Sequence, residues 1–240
     1  MLALRTTILL VDPNCLLRQG LRSLLNADGE FEVIGEACDG MQAMQRAALH
    51  CPDLMLIDSQ LPGLCGIETV ARIKRRLPTI RVVMLSDAMT DDCVRESLSA
   101  GADGYVLKDA NFEDLLSALR SVAAGKRYLS PEVSALLVEG YLNPSSRAEN
   151  EHDPMAKLTA RERSILQLVA EGRTNGATAA YLSVSKKTVE KHRANLMRKL
   201  GVHNATELMF AATDMGLVER PAHAKRRSAP APFESRSAAP

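Results

Sequence analysis

The chain has 240 residues, 46% of them hydrophobic and 25% charged, which is a globular balance with enough apolar residues for one or two real cores. Its net charge of +1 hides a segregation: residues 1–125 carry 12 Lys+Arg against 17 Asp+Glu, and residues 155–220 carry 11 against 6. No apolar run is long enough to span a membrane. The five cysteines are odd in number and never at C-x-x-C spacing, so a disulfide framework or zinc site is not expected and a reducing cytoplasm is.

The first element is the strand in MLALRTTILLVD, which stops at Asp12 without a small-residue cleavage site and is read as a strand, not a signal peptide. Further aliphatic runs follow at Phe31–Ile34, Leu54–Ile57, Val82–Leu85 and Tyr105–Leu107. Between them, apolar residues recur at three- and four-residue spacing, as in Leu17, Leu21, Leu24 and Leu25. Strands alternating with helices predict a doubly wound α/β domain with a five-stranded parallel sheet. After a helix over about Phe112–Ala124, Ser130-Pro131 starts a short helix, and the polar stretch from Asn143 to Met155 reads as a linker. From Leu158 to Val218 the pattern is helical throughout and predicts a small all-α bundle of four helices. Thr159 and Glu162 form a capping box, Thr174 opens a short helix, Ser185 opens a longer one that Gly201 ends, and a last helix runs from about Asn204 to Met215. The Pro-, Ala- and Ser-rich tail is expected to be disordered. The predicted divisions are therefore 1–125, a linker with a short helix over 126–156, a helical domain over 157–218, and a tail over 219–240.

In an open parallel sheet the binding crevice lies beyond the carboxyl ends of the strands. Here those ends deliver Asp12, then Asp58 in LMLIDSQLPG, Ser86 in VVMLSDA and Lys108 in GYVLKD: two carboxylates, a hydroxyl and an ammonium. A carboxylate attacks phosphorus when cations balance the charge. Over residues 6–124 these motifs resemble the flavodoxin-like receiver domain of bacterial response regulators. The resemblance implies that Asp58 accepts a phosphoryl group from a sensor histidine kinase and that Lys108 neutralises it. It also implies that Ser86 bonds a phosphoryl oxygen and draws its loop inward, and that Tyr105 changes rotamer with it.

The receiver pattern normally has two adjacent acids after the first strand, and the second binds Mg²⁺. Here that position is Pro13, which has no side-chain oxygen. Mg²⁺ requires near-octahedral oxygen ligation. Asp12 and Asp58 remain as metal ligands, with Asn14 as a further oxygen, so the pocket is short of one charge and one ligand. An equally natural reading makes Asp12 an N-cap and Pro13 the first helical residue. The sequence leaves both open and predicts that Mg²⁺-dependent phosphorylation is impaired or lost.

In the back half, LTARER, SKKTVEKH and LMRKLG resemble the LuxR-type helix-turn-helix of the NarL/FixJ group over residues 157–218. The helix from Lys186 to Leu200 is then the recognition helix, which enters the major groove. Its spacing puts Val189, His192, Leu196 and Leu200 on one face and Lys187, Lys191 and Arg198 on another, with Lys186, Arg193 and Lys199 beside them. The resemblance places Thr174, Asn175, Ser185, Lys186, Lys187, Thr188, Lys191, His192, Arg198 and Lys199 at the DNA. Three departures weaken the short helix: Gly176 lowers helix propensity, Ala177 cannot complete a capping box with Thr174, and Thr178 puts a hydroxyl where an aliphatic side chain usually sits. Glu190 stands where a cation commonly meets a phosphate.

The sequence thus predicts a DNA-binding transcription regulator that dimerises, has no membrane segment and is not an enzyme: Gln60 replaces the second Asp of a phosphatase motif, and DPNCLL lacks a Gly-rich phosphate loop. Its rivals are a phosphorylation-independent regulator and a protein-binding signalling adaptor with weakened DNA binding.

Overall fold

A computed structural model describes residues 5–142, 158–182 and 184–215. The polar stretch from Asn143 to Met155 and the predicted tail lie outside the described residues. The front half runs β1 (Thr6–Val11), α1 (Cys15–Asp28), β2 (Phe31–Ala37), α2 (Gly40–His50), β3 (Leu54–Asp58), α3 (Gly66–Arg76), β4 (Arg81–Ser86), α4 (Asp91–Ser99), β5 (Gly104–Leu107) and α5 (Phe112–Ala123). β6 (Tyr128–Leu129) and α6 (Pro131–Leu142) follow. All strands are parallel, in the order β2-β1-β3-β4-β5-β6.

Strand alternation divides the core into two layers. Ile8, Leu10, Leu54, Leu56, Val83, Leu85 and Val106 face Leu21 and Leu25 of α1 and Leu115, Leu119 and Val122 of α5. Leu9, Val11, Met55, Ile57, Val82, Met84 and Tyr105 face Ala43 and Ala47 of α2, Ile67, Val70 and Ile73 of α3, and Val94 of α4. Every residue of β3 is buried, as a central parallel strand covered on both sides requires.

The structure adds one strand to the five expected and decides how α1 starts. The sheet has six strands: the two-residue β6 is too short to leave a periodic signal. It pairs with Gly104 and Tyr105, which draws the start of the predicted linker into the sheet. The α1 N-cap is Asn14, not Asp12, and the helix begins at Cys15, not Pro13. Asp12 is buried and still aligned with the strand edge, and its Oδ1 accepts from Asn14 N–H at 2.7 Å, so two residues turn the chain before the helix starts.

The back half is α7 (Ala160–Ala170), α8 (Asn175–Leu182), α9 (Lys186–Leu200) and α10 (Ala205–Asp214). Thr159 and Glu162 close the predicted capping box, and Asn204 caps α10. Leu158, Ile165, Leu168, Leu182, Val189, Leu196 and Leu208 form the core. The two halves meet where α7 and α8 lie against α3, α4 and the turn before α3. Arg161 pairs with Glu68 at 3.2 Å, and Arg163 pairs with Glu96.

Candidate functional site

The strand exits place Asp12, Asp58, Ser86 and Lys108 on one edge of the sheet. Lys108 Nζ lies 2.8 Å from Asp58 Oδ2, 3.4 Å from Asp87 Oδ2 and 3.7 Å from Asp12 Oδ2. One ammonium is therefore shared among three carboxylates. Asp87 was missed by the sequence reading, although it directly follows Ser86 at the same strand end. Asp58 Oδ1 accepts from Gln60 N–H at 3.0 Å. Burial pushes the Asp58 carboxyl up to about 6 against the pull of Gln60 and Lys108, and the Asp12 charge adds to the rise. Burial pulls Lys108 down, but Asp58, Asp12 and Asp87 outweigh it and hold the ammonium above its ordinary value.

Gly66 lets α3 start hard against this site. A Cβ there would lie 2.1 Å from the Asp58 carbonyl oxygen, so a side chain would displace the backbone that carries the carboxylate. Beside it, the Ser86 hydroxyl sits 2.8 Å from the Ser59 hydroxyl and accepts from Ala88 N–H at 3.1 Å. Tyr105 is fully buried, donates its hydroxyl to the Ala88 carbonyl at 2.6 Å, and is pushed up to about 12 by burial. Ser86 and Tyr105 thus grip the same loop residue from two sides.

The receiver resemblance implies Mg²⁺ at this pocket, where Asp12 and Asp58 supply the carboxylates. Asp12 Oδ2 is buried without a hydrogen-bond partner and faces Lys108. Both Asp58 oxygens are engaged, Pro13 offers none, and Asn14 Oδ1 accepts from Leu16 and Leu17 N–H at 3.0 and 3.2 Å. Among the described residues no group of three or more His, Cys, Asp or Glu is placed to hold a metal ion.

On α9, Val189 and Leu196 are buried and His192 and Leu200 are half-buried, while Lys186, Lys187, Lys191 and Arg198 are exposed. The remaining predicted contacts have intramolecular duties. Ser185 caps α9 by accepting from Thr188 N–H at 3.1 Å, and its hydroxyl lies 2.8 Å from that of Thr188. Thr174 caps α8 by accepting from Ala177 N–H at 3.2 Å. Asn175 accepts from Arg193. Lys199 pairs at 2.6 Å with Glu162, which is also the capping-box acid of α7; burial works against the Glu162 charge, but Lys199 and Thr159 hold its carboxyl below the ordinary value. Glu190 is exposed, with Lys186 3.9 Å away.

The response regulator receiver domain model matches residues 8–120, and the model of bacterial regulatory proteins of the luxR family matches residues 156–212. The nitrate/nitrite response regulator protein NarL of Escherichia coli is 36% identical over 84% of this chain and 92% of its own length. The DNA-binding transcriptional activator DevR/DosR of Mycobacterium tuberculosis is 34% identical over 87% of this chain and 94% of its own. A solved RcsB–DNA complex aligns at TM-score 0.53 and 25% identity, over 88% of this chain and 98% of that one. With the parallel sheet, the strand-end carboxylates and the helix-turn-helix in that order, the chain belongs to the NarL/FixJ group of response regulators, DNA-binding transcription regulators of two-component type.

Proposed function

We propose that this chain regulates transcription as a dimer that reads DNA through α9, and that Mg²⁺-dependent phosphorylation of its phosphoacceptor Asp58 is impaired or lost. The first part is carried by Lys186, Lys187, Lys191 and Arg198, which are exposed together on one helix. Cations so placed neutralise phosphates along a groove. A single small module buries little DNA surface, and two-fold pairing matches two half-sites. Met209 and Phe210, exposed on α10, offer an apolar surface for that pairing.

The second part is carried by Pro13, which takes one oxygen ligand from the pocket where the Lys108 ammonium meets Asp12 and Asp58. In the pocket as built, this ammonium already meets the charge of Asp58, Asp12 and Asp87. A divalent ion would have to enter without the ligand that Pro13 lacks and against the repulsion of the ammonium. A sensor histidine kinase remains the natural donor for whatever phosphorylation persists.

Mobility shift with genomic fragments tests DNA binding. Salt-sensitive retention is expected, and no retention at very low ionic strength would favour the protein-binding adaptor reading. Titrating Mg²⁺ and a small phosphodonor against the full chain tests the pocket. Little acyl phosphate is expected from the natural sequence, and Pro13→Asp should restore labelling. Rapid labelling of the natural sequence at millimolar Mg²⁺ would overturn the second part.

A further inference from the structure

The turn between β3 and α3 belongs to the acidic half in sequence, yet it is built into the basic half. Leu64 is fully buried and lies in the same apolar cluster as Ile165, Leu168, Leu182, Val189 and Leu196. Its neighbour Gly63 donates N–H to Glu171 Oε1 at 2.9 Å. Gly63 has φ +72°, and a Cβ there would fall 2.6 Å from the Tyr181 hydroxyl, so both the backbone and the space call for glycine. Tyr181 is held on its ring face by Arg173, 4.5 Å from the centroid. One residue on, Cys65 N–H donates to Ser164 Oγ at 3.3 Å, and Arg72 of α3 reaches the Leu182 carbonyl at the end of α8 at 3.3 Å.

α8 is the element that needs this support. It has eight residues, Gly176 inside it, and a buried Thr178 hydroxyl with no hydrogen-bond partner. A helix this short does not hold its shape by propensity alone. α8 packs in turn on α9, while Lys186, Lys187, Lys191 and Arg198 stay exposed with the halves docked.

We infer that Gly63 and Leu64 are positioning residues for DNA reading: the receiver turn braces α8, and through α8 the tilt of α9, while the cations of α9 stay exposed. The receiver then supports the DNA-binding domain and does not cover it. Only the affinity readout rests on the proposed DNA binding; the structural readout stands without it.

The test uses the full chain carrying Leu64→Ala, Leu64→Met or the milder Glu171→Gln. Amide hydrogen exchange is followed across residues 175–182, and binding to a short mixed-sequence duplex is measured at low salt. Leu64→Ala should speed exchange in α8 by roughly tenfold or more, as a core truncation implies. Amides of β1 and β3 should keep their natural rates and duplex affinity should fall severalfold. Leu64→Met should restore both readouts, and Glu171→Gln should shift both the same way by less. If Leu64→Ala unfolds the whole chain, Glu171→Gln decides. Tighter duplex binding would mean that the receiver covers the site, and unchanged α8 exchange would mean that it braces nothing; either result overturns the inference. A natural chain that ignores the duplex sinks the proposed function and leaves the exchange comparison standing.

Discussion

Thr178→Val is the sharpest test of how the helix-turn-helix core is built. Thr178 is 0% exposed, and its hydroxyl has no hydrogen-bond partner. Valine keeps the shape and the β-branch, so helix propensity and packing hardly change and the substitution isolates the hydroxyl. An unsatisfied buried hydroxyl costs about 1–3 kcal/mol. Its removal should therefore stabilise the chain by about 1.5 kcal/mol, or roughly 3–6 °C in Tm at the slope usual for chains of this size. Denaturant unfolding followed by helical signal measures the change. Thr178→Ser supplies the control: it keeps the hydroxyl and loses the methyl, and should destabilise. A valine variant less stable than the natural chain would show that the hydroxyl is bonded in solution and would refute the reasoning.

Glu190→Lys removes an exposed anion from the cationic helix, and should tighten DNA binding and steepen its salt slope by about one. Unchanged affinity and slope would place Glu190 away from the phosphates. The Asp58 carboxyl, raised to about 6 in the fold from 3.8, gives a pH test. The folded state holds that proton more tightly than the unfolded state, so ionisation of Asp58 destabilises the fold as pH rises from about 4 through 6, by roughly 3 kcal/mol in all. Asp58→Asn lacks this loss. Its stability relative to the natural chain should climb across that window and level off above it, and a flat difference between pH 4 and 7 would contradict the burial argument.

Strand ends were the most legible part of the sequence. A continuous aliphatic run that stops on Asp58 or Lys108 fixes both the element and the edge where its polar terminus emerges. The helix starts were nearly as clear, because Thr159, Ser185 and Asn204 cap by local rules. Pro13 left two readings open, and the structure decides between them in part: the sheet edge holds Asp12 in place and leaves Asn14 to cap the helix. The contact between halves left no sequence signal. Leu64 directly follows an ordinary LPG turn and Arg163 sits in an ordinary helix, and only the tertiary arrangement buries one in the helical core and sets the other against Glu96. Lys199 shows the same limit, since its charge looks available to DNA until Glu162 is found beside it.

The ion pairs joining the halves differ in environment from the cations on α9. Arg163 is 7% exposed and Arg161 18%, whereas Lys186 is 68% exposed. Mobile counterions weaken attraction between solvated charges far more than between enclosed ones. On a salt gradient the protein should therefore leave a nucleic-acid matrix at ionic strengths that weaken the pairs between its halves far less.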